Sequence, residues 1–239
     1  MKRAHIEALL AAREAKRPAA LVTVLEGADA WLVHGDAVEV AAGDLPQDVL
    51  AGVAAALRAD RASVLEAGGQ RYFIQPQNPP LRMLIVGAVH VAQALTPMAR
   101  LAGYAVTVID PRRAFATVER FPGIELVHQW PDDAMRSLAP DTRTAVVTLT
   151  HDPKFDDPAL GAALASAAFY IGALGSRRTH AARCQRLIEQ GVSESSLERI
   201  HAPIGLNIGA RSQAEIAVAV LGEITQRLRA APAPGAATV

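Results

Sequence analysis

Five short stretches of this chain place carboxylate, hydroxyl, imidazole or guanidinium groups, three of them together with glycine, at the ends of apolar runs: residues 87–92 (GAVHVA), 110–115 (DPRRAF), 150–156 (THDPKFD), 172–178 (GALGSRR) and 201–211 (HAPIGLNIGAR). Each reads as a strand-to-helix turn. In an open parallel sheet such turns converge beyond the carboxyl ends of the strands, where ligands bind. The first stretch departs from the Gly-x-Gly-x-x-Gly/Ala pattern of dinucleotide-binding turns, having Gly87, Val89 and Ala92 at its three positions. The middle glycine normally lets backbone and pyrophosphate touch, and a valine is expected to fill that space. Pro97 then falls inside the following helix, where it deletes a hydrogen bond at a cost of roughly 3 kcal/mol unless the helix kinks or starts late. Ordinary NAD(P) binding is the reading that these two features damage most.

The other turns carry their own chemistry. Asp110 ends a strand at the spacing past Gly87 where an acidic residue meets ribose hydroxyls. Arg112 and Arg113 follow and suit a phosphate; the alternative is a solvated turn whose aspartate caps local backbone. Thr150, His151 and Asp152 offer a base, a phosphate donor, a metal ligand or simply an organised turn. Gly175, Ser176, Arg177 and Arg178 precede a helix, and free N–H groups there, with the helix dipole and forked guanidinium donors, suit an anion. Glycine for the turn and arginine for solubility is the plainer account. The loop holding Gly205, Asn207 and Gly209 brings backbone close to a ligand or serves as a connection needing positive φ. His90 and His201 are expected at the same crevice, but no histidine spacing supports a metal. Cys184 reads as a packed small side chain, and Trp31 and Trp130 as structural residues far from these turns.

The elements that would hold these turns follow from periodicity. From Leu81 onward, apolar strands (MLIVG, AVTVID, TAVVTLT, AFYIGAL and a weaker IELVH) alternate with helices, the pattern of a mostly parallel sheet covered on both faces. Asp157 is expected to cap a helix with Pro158 at its first position. Ser212 and Glu215 make a capping box ahead of the stripe Ile216, Val220, Ile224 and Leu228. Upstream, two helical segments, strands around a turn and a hairpin at Gly68-Gly69 predict a small α+β unit. The run QPQNPP (75–80) marks the boundary. The expected organisation is an α+β N-terminal domain over 1–78, a Rossmann-like α/β domain over 81–229 and a disordered tail over 230–239.

Composition narrows the function classes. With 51% apolar residues the chain can bury a real core, and 24 Lys+Arg against 24 Asp+Glu leave no basic field for nucleic acid. One cysteine excludes an internal disulfide framework and fits the cytoplasm. The uncharged run 158–176 is rich in Ala, Gly and Ser, and reads as a helix followed by a buried strand, not a membrane span.

Residues 82–228 resemble the XdhC/CoxI family, accessory proteins for molybdenum hydroxylases such as xanthine dehydrogenase and carbon monoxide dehydrogenase. Five blocks in order carry the likeness: VGAVHVAQAL, VTVIDPRRAFATVERFP, VVTLTHDPKFDDPAL, YIGALGSRRTHAAR and ERIHAPIGLNIGARSQAEIAVAVLGEI. The resemblance implies a Rossmann-type domain that binds molybdenum cofactor, a pterin bearing phosphate or a dinucleotide, and helps load it into an apo molybdenum hydroxylase. It also implies a cysteine desulfurase partner, because the cofactor is sulfurated before insertion, and a homodimer. The chain departs from the family at Val89, usually Gly, and at Asn207, usually Asp. No Ser-Gly-Gly-Cys segment precedes residue 82, so no family residue is carried onto the N-terminal region.

The leading expectation is a cytoplasmic cofactor-binding maturation factor without turnover of its own. Its pocket would comprise Gly87, His90, Asp110, Arg112, Thr150, His151, Asp152, Gly175, Ser176, Arg177, Arg178, Gly205, Asn207 and Gly209. Asp110 would meet a ribose or a pterin N–H. Two alternatives stand beside it: an NAD(P)-dependent oxidoreductase using His151, and a non-binding scaffold for desulfurase and hydroxylase.

Overall fold

The computed structural model describes residues 3–34, 37–40 and 43–230. Most of the expected tail, from residue 231, lies outside them. The chain divides into two compact units, residues 1–79 and 80–239.

The first unit runs α1 (Arg3–Glu14), β1 (Ala19–Val24), β2 (Ala30–His34), β3 (Ala37–Val40), α2 (Gln47–Ala59), β4 (Ser63–Ala67) and β5 (Gln70–Gln77). Its strands form an antiparallel sheet in the order β3-β2-β1-β5-β4. Strand alternation puts Trp31 and Val33 in the cluster with Val49 and Val53 of α2, and Leu32 in the cluster with Ala12 of α1. Gly68 and Gly69 turn the β4–β5 hairpin with φ of 58° and 75°, as a two-residue turn matched to strand twist requires. β5 continues through Pro76, the first proline of the boundary run, but only as an edge. β4 ends opposite Ile74, so at Pro76 only β1 flanks the strand, and an edge tolerates a missing N–H.

The second unit runs β6 (Leu81–Val86), α3 (His90–Leu101), β7 (Tyr104–Ile109), β8 (Glu125–Val127), α4 (Pro131–Leu138), β9 (Thr144–Thr148), α5 (Pro153–Leu164), β10 (Tyr170–Ala173), α6 (Arg177–Glu189), α7 (Glu194–Leu197), β11 (Ile200–His201) and α8 (Gln213–Arg229). The strands are all parallel, in the order β11-β10-β9-β6-β7-β8. This is the expected Rossmann-like sheet. Strands covered on both faces read as continuous apolar runs, and β6 shows why. Met83 and Ile85 pack with Leu95 of α3 and Val220 and Ile224 of α8, while Leu84 and Val86 pack with Met135, Leu160 and Leu187 of α4, α5 and α6. The chain moves outward from β6 to β8 and then crosses back to β9. The helices change face at that step, which places the crevice at the carboxyl ends of β6 and β9.

Local chemistry sets the helix ends. The Ser212–Glu215 capping box is present at α8. α3 neither starts late nor breaks at Pro97, and the Gln93 carbonyl, deprived of a Pro97 N–H, lies 3.5 Å from the Thr96 hydroxyl. α5 corrects an expectation. It begins at Pro153, capped by Asp152, whose side chain accepts the Lys154 N–H, so Asp157 and Pro158 lie inside the helix. The uncharged run 158–176 resolves into the rest of α5 and strand β10, and no described helix is long and apolar enough to cross a membrane.

Candidate functional site

The turn after β6 is locked before any ligand arrives. Gly87 has φ +108°, and a Cβ on it would sit 2.4 Å from Thr150 Cγ2, so glycine is what allows the β6 and β9 turns to touch. Its N–H donates to the Ile109 carbonyl at 2.9 Å, and the Ala88 N–H donates to Asp110 Oδ2 at 2.9 Å. Asp110 also accepts the Arg112 backbone N–H, Nε and Nη2 at 2.9, 2.9 and 2.7 Å, and is 1% exposed. Burial pushes this carboxyl up, but the bonds from Arg112 and Ala88 outweigh it and hold it below the usual carboxylate range. Asp110 is thus satisfied in this structure without a ribose or pterin N–H. Both its oxygens are engaged inside the protein, and it works as the clamp between two turns.

The turn after β9 hangs on a carboxylate the sequence did not single out. Asp156 is buried in the first half of α5; it accepts the Thr150 hydroxyl at 2.6 Å and the His151 N–H at 3.2 Å. Thr150 Oγ1 in turn accepts the Asp152 N–H at 3.1 Å. His151 sits at φ +64°, a conformation that costs a non-glycine residue about 1 kcal/mol or more. Its ring is exposed. Asp156 also faces Arg183 of α6 at 3.3 Å, an ion pair in which both side chains are buried. The same guanidinium donates to the Leu174 carbonyl at 3.1 Å, which ties the turn after β9 to the turn after β10. Burial drives the Asp156 carboxyl above its ordinary range despite Thr150 and Arg183. A second pair, Asp157 with Arg186 at 2.5 and 3.0 Å, reinforces the contact of α5 with α6.

After β10, Gly175 adopts φ +143° and Ser176 caps α6 by accepting the Thr179 N–H at 3.1 Å. Arg177 and Arg178 are the exposed first residues of the helix, two positions earlier than the sequence suggested. N–H groups in a first turn have no intrahelical acceptor, and the positive end of the helix dipole adds to both guanidinium groups. Arg183 lies beneath this turn. Its Nη2 would be 3.9 Å from a Cβ on Gly175, and its Nε and Nη1 are buried with no acceptor among the described residues.

The last loop is attached to the same edge from outside. Ile204 N–H donates to the Ala173 carbonyl at 3.2 Å, and Ile204 fills the space a Cβ on Gly172 would need. Gly205, at φ +96°, donates to Glu223 of α8 at 2.7 Å. Glu223 also accepts the Tyr170 hydroxyl at 2.5 Å and pairs with His201 at 3.2 Å. His201 is thus stacked on Tyr170, 4.6 Å between centroids, and engaged with Glu223 instead of facing the crevice. His90 is exposed at the start of α3, while Asn207 and Gly209 lie at the exposed end of the loop. The structure therefore joins Gly87, Asp110, Arg112, Thr150, His151 and Asp152 into one network. It links Gly175 and Ser176 to that network through Arg183 and leaves Asn207 and Gly209 at its periphery.

Residues 83–224, spanning β6 to α8 and every turn just described, match the XdhC Rossmann domain family. The chain belongs to this family. It is 36% identical over 146 residues to the molybdenum cofactor insertion chaperone PaoD of Escherichia coli K12, a match covering 61% of this chain and 40% of that protein. It is 32% identical over 155 residues to a probable xanthine dehydrogenase subunit of Bacillus subtilis 168, covering 64% of this chain and 45% of that protein. A crystal structure of a xanthine dehydrogenase from Bacillus halodurans shares the fold, with TM-score 0.72 and 21% identity over 98% of this chain and 66% of that one. The chain spans less than half the length of these curated relatives.

Within the XdhC domain, the residues that escaped the sequence reading are inward-facing charges and one aromatic group. Arg183 and Leu187 are one helical turn apart on the buried face of α6; an arginine in register with a core leucine was the available signal. Trp130 is not remote from the turns, as the sequence suggested. It stacks on Phe155 of α5 with centroids 5.4 Å apart. Cys184 packs against the apolar cluster under α5 and α6, and burial pushes its thiol up. Val89 also differs from expectation, since it stands at the N-cap position of α3, without a side-chain cap bond, and packs partly against the core instead of standing wholly in the ligand space. Val89→Gly is accordingly expected to cost about 1 kcal/mol of stability in a urea titration and to leave NADH affinity within twofold in a calorimetric titration. A large gain in NADH affinity would restore the view that one side chain blocks the pyrophosphate seat.

Proposed function

We propose that this XdhC domain holds a molybdenum cofactor, as phosphorylated pterin or its dinucleotide, along the carboxyl edge of β6, β9 and β10, and passes it to an apo molybdenum hydroxylase. The cofactor is cargo, not a catalyst here. One observation carries the reading: the start of α6 presents Arg177, Arg178 and free backbone N–H groups on a turn braced from below by buried Arg183. That donor set matches a phosphate in charge and in its number of acceptors. The name of PaoD supports the same assignment. The internal engagement of Asp110 speaks against the NAD(P) oxidoreductase alternative, because the carboxylate that would bind ribose is already used.

In this reading the domain works in the cytoplasm, receives cofactor sulfurated by a cysteine desulfurase and acts as a homodimer. Gly87, Thr150 to Asp152, Gly175 to Arg178 and Gly205 line the cargo path, with Asn207 and Gly209 at its mouth. The deciding experiment purifies the protein from molybdenum-replete cells, denatures it and measures oxidised-pterin fluorescence. The expected result is pterin close to stoichiometric in the wild type and at least fivefold less in the Arg177→Ala/Arg178→Ala double variant. A wild-type protein that carries none, and takes up none when offered cofactor, overturns the proposal.

A further inference from the structure

We infer that Trp130 is the seat for a planar heteroaromatic ring, the pterin or nucleobase of the bound ligand, stacked on the outer face of an aromatic–guanidinium ladder. The ladder is built from three different turns. Trp130 lies just after β8, Phe155 is in the first turn of α5 after β9, and Arg112 follows β7. The Arg112 guanidinium carbon is 4.9 Å from the Phe155 ring centroid and 4.5 Å from that of Phe115. Asp110 holds the same guanidinium through Nε and Nη2, which fixes its plane. Four flat groups therefore run in series: Trp130, Phe155, Arg112 and Phe115.

Both ends of the series are open, Phe115 at 44% exposed as well as Trp130, and Phe155 between them is covered. Phe155 is 8% exposed, whereas Trp130 is 51% exposed. Trp130 occupies the N-cap of α4 without making a side-chain cap bond, a position where a short polar residue would stabilise the helix and an indole does not. An exposed indole backed by a ring and a cation is suited to stacking with a flat heterocycle. The location favours a ligand over a protein partner. Phe155 is carried by the same helix as Asp156, which through Arg183 holds the turn at Leu174 and Gly175. Ring seat and anion seat are thus parts of one internally bonded frame at the carboxyl edge of the sheet.

The inference rests on the proposed cargo reading for the identity of the ring, but its test is separate. Guanosine 5′-monophosphate and 6-hydroxymethylpterin are titrated into the full chain by calorimetry and by tryptophan fluorescence, with ribose 5-phosphate as the ringless control. The expected result is that ring-bearing probes bind at least about tenfold tighter than ribose 5-phosphate and quench fluorescence. Trp130→Ala should lose about tenfold in ring-probe affinity, whereas Trp130→Phe keeps the affinity and loses the quenching. Thermal unfolding checks that both variants fold. The seat is overturned if ribose 5-phosphate binds as well as the ring probes, if the ring probes fail to bind at millimolar concentration, or if folded Trp130→Ala binds them unchanged. If Trp130→Ala spares probe binding but abolishes capture of an apo molybdenum hydroxylase, the indole is a protein contact and the seat is again overturned. A chain that carries pterin on purification but fails these titrations keeps its proposed cargo and loses the seat; the converse result does the opposite.

Discussion

Replacing Arg183 by methionine is expected to lower the unfolding free energy by about 3–5 kcal/mol at pH 8, the range for removing one partner of a buried ion pair. Methionine preserves much of the aliphatic volume, so the loss reports charge more than cavity. It leaves Asp156 buried with only the Thr150 hydroxyl and the His151 N–H for its negative charge. The penalty should depend on pH, and its sign follows from the carboxyl. Burial already raises Asp156 above its ordinary range in the folded protein, and Arg183 acts in the opposite direction. Without Arg183 the folded carboxyl rises further. A carboxyl raised by folding costs nothing below its unfolded pKa, costs progressively more as pH climbs from that value to the folded one, and costs the full amount above. The Arg183→Met penalty should therefore shrink as pH is lowered from 8 toward 5, where Asp156 can take up a proton. Asp156→Asn should behave differently, since it strands a guanidinium that stays charged throughout this range. Urea unfolding of both variants at pH 8 and pH 5 checks the prediction. An Arg183→Met penalty equal at both values would mean that packing, not the pair, holds the turns together.

This pair also marks the limit of what the sequence disclosed. Five of the six strands of the second unit were legible, four of them because a parallel sheet buried on both faces needs uninterrupted apolar runs; the two-residue β11 was too short to leave one. The α8 start was legible because Ser212 and Glu215 form a local cap that needs no tertiary context. The α5 start was not. Both Asp152-Pro153 and Asp157-Pro158 carry the same cap signature, and the tertiary structure selects the upstream one. Only then are Asp156 and Asp157 inside the helix, where they meet Arg183 and Arg186. The internal bonds of Asp110 were hidden for a related reason. Its spacing from Gly87 suits a ribose contact, but Arg112 two residues later supplies a fork that engages both its oxygens. Trp130 was set aside because it is fifteen residues past the turn at 110–115 and twenty before the turn at 150–156, a separation that parallel strands close in space. Apart from Arg183, whose register with Leu187 was a signal, the charges and rings that join one turn to another leave no periodic trace, and the frame beneath the candidate site consists largely of such contacts.

The contact between Gly87 and Thr150 makes the second large prediction separable into its causes. Gly87→Ala is expected to destabilise the protein by about 2–5 kcal/mol, combining a left-handed φ that alanine rarely adopts with a methyl group driven into Thr150. The two terms can be told apart because the added Cβ meets Thr150 Cγ2 at 2.4 Å but the Thr150 backbone N only at 3.4 Å. Thr150→Ser removes that methyl and retains the hydroxyl that Asp156 accepts. Alone it should cost under about 1 kcal/mol, the price of one partly buried methyl. Combined with Gly87→Ala it should recover the steric part, about 1–2 kcal/mol, and leave the backbone strain. The measured coupling in a double-mutant cycle is thus expected to be favourable. Additive penalties would show that the strain is wholly in the backbone and that the turns after β6 and β9 are not in steric register. The distinction reaches the proposed site, because Thr150 N–H, His151 and Asp152 keep their positions only while Thr150 does. If the steric term is real, Gly87→Ala should also reduce bound pterin, and Thr150→Ser should restore it in the double variant. Restored stability without restored pterin would place the cargo elsewhere on the sheet edge.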